Sequence, residues 1–323
     1  MLRRTLLSAA AVIATLPLHS HAQSFPNRAV KLVVPFAPGG GNDFLARDIA
    51  QVLQQRYQQP IVVENRPGGG GLIGSAQVAK GPADGYTWLM AANSAAIIDA
   101  TREDAPFSLV KDLTPVGMVA DMPIMLVVSP ETGVRNVREL IALAKRQPGV
   151  LNFASSGPGT VQHMAAALFD SLAGTKMVHI PFKGASQMVP ELLANRVQVL
   201  FGPANTLQQL VQSGKLVALA VTGDRRWGAM PDLPTVAEDG LPGYKVDLWY
   251  ALLVPARTPT GIVAALNRDL NAYLDTNDTR ERYKAQALTP ANSTPADAAK
   301  RIADDVALWR GVANRIGFKA EGS

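Results

Sequence analysis

The residues of this chain best placed to do chemistry lie in segment 31–43, KLVVPFAPGGGND, where an apolar run passes through a proline-framed glycine loop to a helix-capping aspartate. Backbone N–H groups at a helix start have no intrahelical acceptor, and the aligned peptide dipoles add about half a positive charge there. A carboxylate arriving at such a loop meets donors already aimed at it and needs no cationic side chain. Segment 152–160, NFASSGPGT, repeats the design: a short strand, a loop of small residues, and Ser156 or Thr160 placed to cap the next helix. Two such loops facing each other grip one ligand from both sides. A backbone N–H to carboxylate bond contributes about 1.5–3 kcal/mol and micromolar affinity requires about 8 kcal/mol, so four or five bonds suffice after ordering costs.

Other chemistries lack parts. His163 and His179 are the two histidines beyond the leader, no G-x-S-x-G elbow occurs, and no carboxylate–histidine group has metal-ligand spacing. Ser155 or Ser156 with His163 as base is conceivable for an exported hydrolase, yet nothing marks an orienting acid. Gly69, Gly71 and Gly74 satisfy G-x-G-x-x-G after the strand at 61–64, but the next strand ends in Leu89-Met90-Ala91-Ala92 and offers no acid for a ribose. These glycines read as a tight turn at the rim of a cleft. The sequence therefore predicts no enzyme, no cofactor and no metal.

The elements that must position the two loops follow a strand–turn–helix rhythm. Strands are expected at 30–34, 61–64 and 86–91, with a helix at 43–57 that places Phe44, Leu45, Ile49, Val52 and Leu53 on one face. This is a βαβ pattern, which implies a parallel sheet. After 122–128 a second series runs helix 137–147, strand 151–153, helix 160–173, strand 177–180, helix 185–193, strand 197–201, helix 206–213 and strand 216–221. Asn136 with Glu139 forms a capping box, and Gly149, Gly174 and Gly214 sit where helices should stop. A strand at 245–254 leads to three helices, 259–275, 278–286 and 295–316. The fold class is thus α/β, with a cleft between two α/β domains: 23–124 plus 249–323 as domain 1 and 125–248 as domain 2. Crossings near 120–128 and 246–253 make a hinge between them. Loops 92–98 and 202–206 are expected to read the far half of the ligand; being small and mostly uncharged, they favour an apolar or aromatic acid over a tricarboxylate.

Composition agrees with an exported protein. Arg3 and Arg4 precede an uncharged apolar run at 6–16 and the small-x-small site Ser20-His21-Ala22, a secretory leader cut after Ala22. That run is too short to span a bilayer, and no other segment supplies about 20 uninterrupted apolar residues. With no cysteine among 323 residues, disulfides and lipoprotein anchoring are excluded. The leader holds two of the 31 basic residues and no acid, leaving 29 against 26, a formal +3 that is too mild and too evenly spread for nucleic acid.

Several motifs, in a consistent order, resemble one family. VVPFAPGGGND, VVENRPGGGGLIG, DGYTWLM, KDLTPVGMV, LNFASSGPGT, HIPFKGA and DLPTVAEDGLPGY are similar to the Bug family of extracytoplasmic solute receptors, the binding proteins of tripartite tricarboxylate transporters, across essentially the whole processed chain. The resemblance implies a Venus-flytrap periplasmic binding protein of type II, a monomer that captures an organic anion and delivers it to membrane permease subunits. Carried over residue by residue, it implies a first loop of Phe36, Ala37, Pro38, Gly39, Gly40 and Asp43. The second is Ser155, Ser156, Gly157, Gly159, Thr160 and His163, with Lys183 in the PFKG segment as a further contact. Each has a plainer role: Asp43 as a helix cap that shapes the loop, His163 as a structural hydrogen-bond partner, Lys183 as a solvated loop lysine, Phe36 as core. Arg47 is expected to pair with Asp43 or Asp48. Members often carry an acid after the Val-x-x-Phe strand, whereas Gly202-Pro203 stands here, which argues against amino-acid ligands. Delivery to a membrane sensor rather than a permease is an alternative use of the same closed form.

Overall fold

Continuous apolar runs decide the centre of the molecule. In this computed structural model, which describes residues 25–182 and 185–319, strands β3 (Thr87–Ala92) and β10 (Leu248–Pro255) are buried almost throughout. A strand with no polar alternation needs cover on both faces. The first sheet has the order β11-β4-β10-β3-β1-β2, with β1 (Val30–Val34), β2 (Ile61–Asn65), β4 (Leu113–Met122) and the two-residue β11 (Thr289–Pro290). Helices α1 (Gly41–Tyr57), α2 (Leu72–Ala79), α3 (Asn93–Thr101), α4 (Leu109–Asp112), α9 (Thr260–Leu274), α10 (Asn277–Lys284) and α11 (Pro295–Ile316) accompany it. Helix α1 buries Leu45, Ile49 and Leu53, one stripe at helical spacing.

The second sheet has the order β7-β6-β8-β5-β9: β5 (Ile124–Val128), β6 (Asn152–Ser155), β7 (Val178–Pro181), β8 (Val199–Pro203) and β9 (Val217–Val221). Its helices are α5 (Val137–Arg146), α6 (Val161–Ala173), α7 (Ala185–Leu193) and α8 (Ala204–Gln212). Alternation along β5 assigns its two faces. Ile124, Leu126 and Val128 join the main apolar cluster, which continues from the first sheet, while Met125 and Val127 face a smaller cluster with Met188, Leu192 and Leu207. Helix α5 starts as read from sequence, since the Asn136 side chain accepts the Glu139 N–H at 2.9 Å.

The expectation of parallel sheets needs correction. Pairs β1–β2, β1–β3, β6–β7 and β6–β8 are parallel, but β10 runs antiparallel to β3 and β4, and β5 runs antiparallel to β8 and β9. The cause is the path between sheets: only Pro123 separates β4 from β5, and the chain returns after β9 to enter the first sheet along β10. A strand arriving from another sheet has no crossover helix to force it parallel. The leader, its cleavage site and Lys183 lie outside the described residues. Among those described, no helix is long and apolar enough to cross a membrane.

Candidate functional site

The first loop joins β1 to α1 and is organised by a buried aspartate. Asp43 is 5% exposed and occupies the third position of α1; the N-cap is Gly40, which provides no side chain. The Asp43 carboxylate accepts the Gly39 N–H at 3.0 Å, Arg47 Nε at 3.0 Å and Asn65 Nδ2 at 2.9 Å, while the same Asn65 amide donates to the Phe36 carbonyl at 3.0 Å. Burial pushes the Asp43 carboxyl up, but the bonds from Arg47, Gly39 and Asn65 outweigh it and hold the group below its ordinary range. Since Gly39 gives its N–H to Asp43, the donors without intrahelical acceptors begin at Gly40; the first helical bond is Phe44 N–H to Gly40 at 3.0 Å. Gly39 has φ +92°, and a Cβ on Gly41 would stand 2.5 Å from the Tyr250 hydroxyl oxygen. Both glycines are therefore required, one by conformation and one by close approach.

The second loop, between β6 and α6, is held from beneath. Ser155 is fully buried, and its hydroxyl oxygen accepts the Gly157 N–H at 3.0 Å and lies 2.5 Å from His179 Nε2. Thr160 stands at the N-cap of α6 but donates its hydroxyl to the Gly157 carbonyl at 2.7 Å instead of receiving a helical N–H. Gly159 donates its N–H to His163 Nδ1 at 3.2 Å. His163 and His179 stack at 4.3 Å between centroids, with Phe153 5.0 Å from His179 on one side and Phe318 edge-on to His163 at 5.1 Å on the other. Burial, aided by the neighbouring His179, lowers the His163 pKa to about 4, and burial also lowers that of His179. Both rings are neutral at pH 7, and the Nδ1 of His163 must be unprotonated to accept from Gly159.

A cavity of about 770 Å³ lies between the two loops. From the first sheet it is lined by Phe36, Asn42, Gly69, Gly70, Ala92 and one face of α3. The second sheet contributes Ser156, Pro158, Gly159, Thr160, Val161 and Gln162. Leu248 at the crossing strand completes the wall with Phe318 and Lys319. Of the residues carried over from the family pattern, Phe36, Ser156, Gly159 and Thr160 line this space. Ala37, Pro38, Gly39, Gly40, Asp43, Ser155, Gly157 and His163 belong to the same two loops but do not line it. Asp43, Ser155 and His163 instead bond the loop backbones, and Arg47 pairs with Asp43, as expected.

The lining differs from the sequence reading in three respects. Segment 92–98, taken as a loop, is the start of α3; no side chain caps that helix, so the usual start signal is missing. Phe318 and Lys319 arrive from the far end of the chain, which nothing local announces. Gly202–Thr206, expected to read the ligand, forms the end of β8 and the start of α8 and does not line the cavity. Gly69 and Gly70 do stand at its rim, in a run from Gly68 to Gly71 whose φ angles are all positive.

The family model described as "Tripartite tricarboxylate transporter family receptor" matches residues 45–318. The chain belongs to that family. This receptor is 36% identical to protein BugT of Bordetella pertussis over 300 residues, 92% of each chain. Among solved structures, it resembles an R. palustris protein with adipate at a TM-score of 0.80 and 33% identity, covering 91% of this chain and 99% of that one. The periplasmic binding protein BugD superposes with a TM-score of 0.77 at 29% identity, covering 92% of this chain and 100% of BugD. The receptor thus has the α/β fold of the periplasmic binding proteins, and its relatives are solute-binding receptors rather than enzymes.

Proposed function

We propose that this receptor works in the periplasm as a monomer, captures a small organic carboxylate in the cavity between its two loops, and delivers it to the membrane subunits of a tripartite tricarboxylate transporter. One observation carries the reading: the cavity lies where two glycine-bearing strand-to-helix loops converge, and among the described residues no acidic side chain lines it. Open helix starts on α1 and α6 supply N–H donors, Ser156 and Gln162 supply side-chain polarity, and Phe36, Ile97, Ile98 and Val161 supply apolar walls. The solved R. palustris structure with adipate and the periplasmic designation of BugD support the ligand class and the compartment. In this reading the lobes are 23–124 plus 249–323 and 125–248, and they close about the β4–β5 and β9–β10 passages.

A thermal-shift panel of mono-, di- and tricarboxylates, aromatic acids and neutral sugars tests it. Ligand that binds only the folded state stabilises it by about 2.7 kcal/mol at a hundredfold excess over Kd. Shifts confined to acids support the proposal; shifts with sugars alone overturn it. Uptake of the identified acid by cells lacking the gene then separates delivery to a permease from delivery to a sensor.

A further inference from the structure

We propose that Arg102 reads a second acid group on the ligand, and that Ile97 and Ile98 select the apolar spacer between the two acids. This deepens, and rests on, the carboxylate reading above.

The residues of α3 and its C-cap that line the cavity are Asn93, Ser94, Ile97, Ile98, Thr101 and Arg102. Their spacing is that of a single helix face, so α3 lies lengthwise along the wall. From Asn93 to Arg102 that wall runs about 13.5 Å at 1.5 Å per residue. Its chemistry changes along the way. Asn93 and Ser94 stand at the start, Ile97 and Ile98 are buried in the middle, and Arg102 closes the far end. The Thr101 hydroxyl spends its one hydrogen on the Ile97 carbonyl at 2.7 Å, and Asn93, whose amide donates to the Asp247 carbonyl at 3.0 Å, stands at the opposite end of the wall, so neither serves as a donor at the far end.

Arg102 is different. Its side chain is only 10% exposed, and its guanidinium holds Asp104 through both Nε and Nη2 at 3.1 Å, a carboxylate that is itself 61% exposed. The guanidinium fork is thus already in the geometry that binds a carboxylate bidentately. An ion pair with so exposed a partner is cheaply exchanged, because water takes up the released Asp104. Lys319 adds a second cation at the cavity, paired with Glu103 at 2.9 Å on exposed surface. Asp99, the remaining acid of this helix, is engaged by Ser108, by the Leu109 N–H and by Arg310. The wall therefore fits an extended diacid whose acid groups are several carbons apart, with one group at the glycine loops and the other on Arg102.

Calorimetric titration of the purified protein with matched pairs, butanoate and succinate, hexanoate and adipate, octanoate and suberate, tests this. The wild type should bind the diacid of at least one pair about tenfold or more tightly than its monoacid. Arg102→Gln should remove about tenfold of diacid affinity and leave monoacid affinity within about twofold. Asp104→Asn, which frees the guanidinium, should tighten the diacid about threefold and leave the monoacid unchanged. An unchanged diacid-to-monoacid ratio in Arg102→Gln overturns the assignment; if that variant fails to fold, an unchanged ratio in Asp104→Asn does so. Equal wild-type affinity for both members of every pair, or no binding to any of the six acids, overturns the Arg102 role alone, whereas a thermal-shift panel in which no acid of any class shifts the protein overturns the carboxylate reading as well.

Discussion

Replacing Asp43 by alanine tests how the first loop is held. The carboxylate is 5% exposed and receives Gly39, Asn65 and Arg47. Hydrogen bonds to a charged group are worth about 1.5–3 kcal/mol each, but Arg47 is 55% exposed and regains water, so its share is about 1 kcal/mol or less. Gly39 is exposed and its N–H is also partly rehydrated, while the Asn65 amide, half-buried, keeps its bonds to the Phe36 carbonyl and from Arg47 Nη2. The sum is a loss of about 2–4 kcal/mol, or roughly 3–6 °C in melting temperature for a chain of this size. Asp43→Asn keeps one acceptor oxygen but turns an amide toward the other donor, and should lose about half as much. Differential scanning calorimetry gives stability and calorimetric titration gives affinity. Because Asp43 fixes the loop without lining the cavity, the alanine variant should also bind its acid about tenfold more weakly through loosened donors. Native stability with native affinity would refute this account; tighter binding would show that the carboxylate chiefly repels the ligand.

Gly157→Val, at φ +119° with open space around its Cβ, should weaken binding about tenfold while costing about 1–2 kcal/mol of stability; wild-type affinity in titration would count against the loop geometry. His163, lowered in the folded state, takes up a proton more readily when unfolded, so stability should fall as pH drops from about 6.5 toward 4. His163→Gln should flatten that limb in pH-dependent melting. Asp305 behaves oppositely: burial raises its pKa to about 6, so its contribution is full below the ordinary carboxylate range and is lost as pH rises through 6. Asp305→Asn, which retains an acceptor for Trp249 Nε1, should raise stability at pH 8 by about 1–3 kcal/mol, measured by denaturant melts at pH 5 and 8.

What was legible in the sequence is what short-range physics fixes. The strand at Val30–Val34, helix Pro295–Ile316 and the Asn136–Glu139 cap all lie where apolar period, proline and capping residues put them. The two glycine loops were legible because positive φ and strand-to-helix turns need those residues at those places. Strand β4 was hidden by Pro115 and Gly117, yet it pairs with β10: a register shift falls next to Pro115, and the short β11 pairs only with Ala120 and Asp121. The reversed direction of β5 and β10 came from the passage between sheets, not from any local pattern. The cavity wall depended still more on tertiary structure. Helix α3 turns Ile97, Ile98 and Arg102 toward loops of the other sheet, and Phe318 reaches His163 from 155 positions along the chain. Local sequence encodes torsion preferences and amphipathic stripes, but which stripe meets which loop is settled only when the sheets pack, because burial rewards contacts regardless of their separation in sequence.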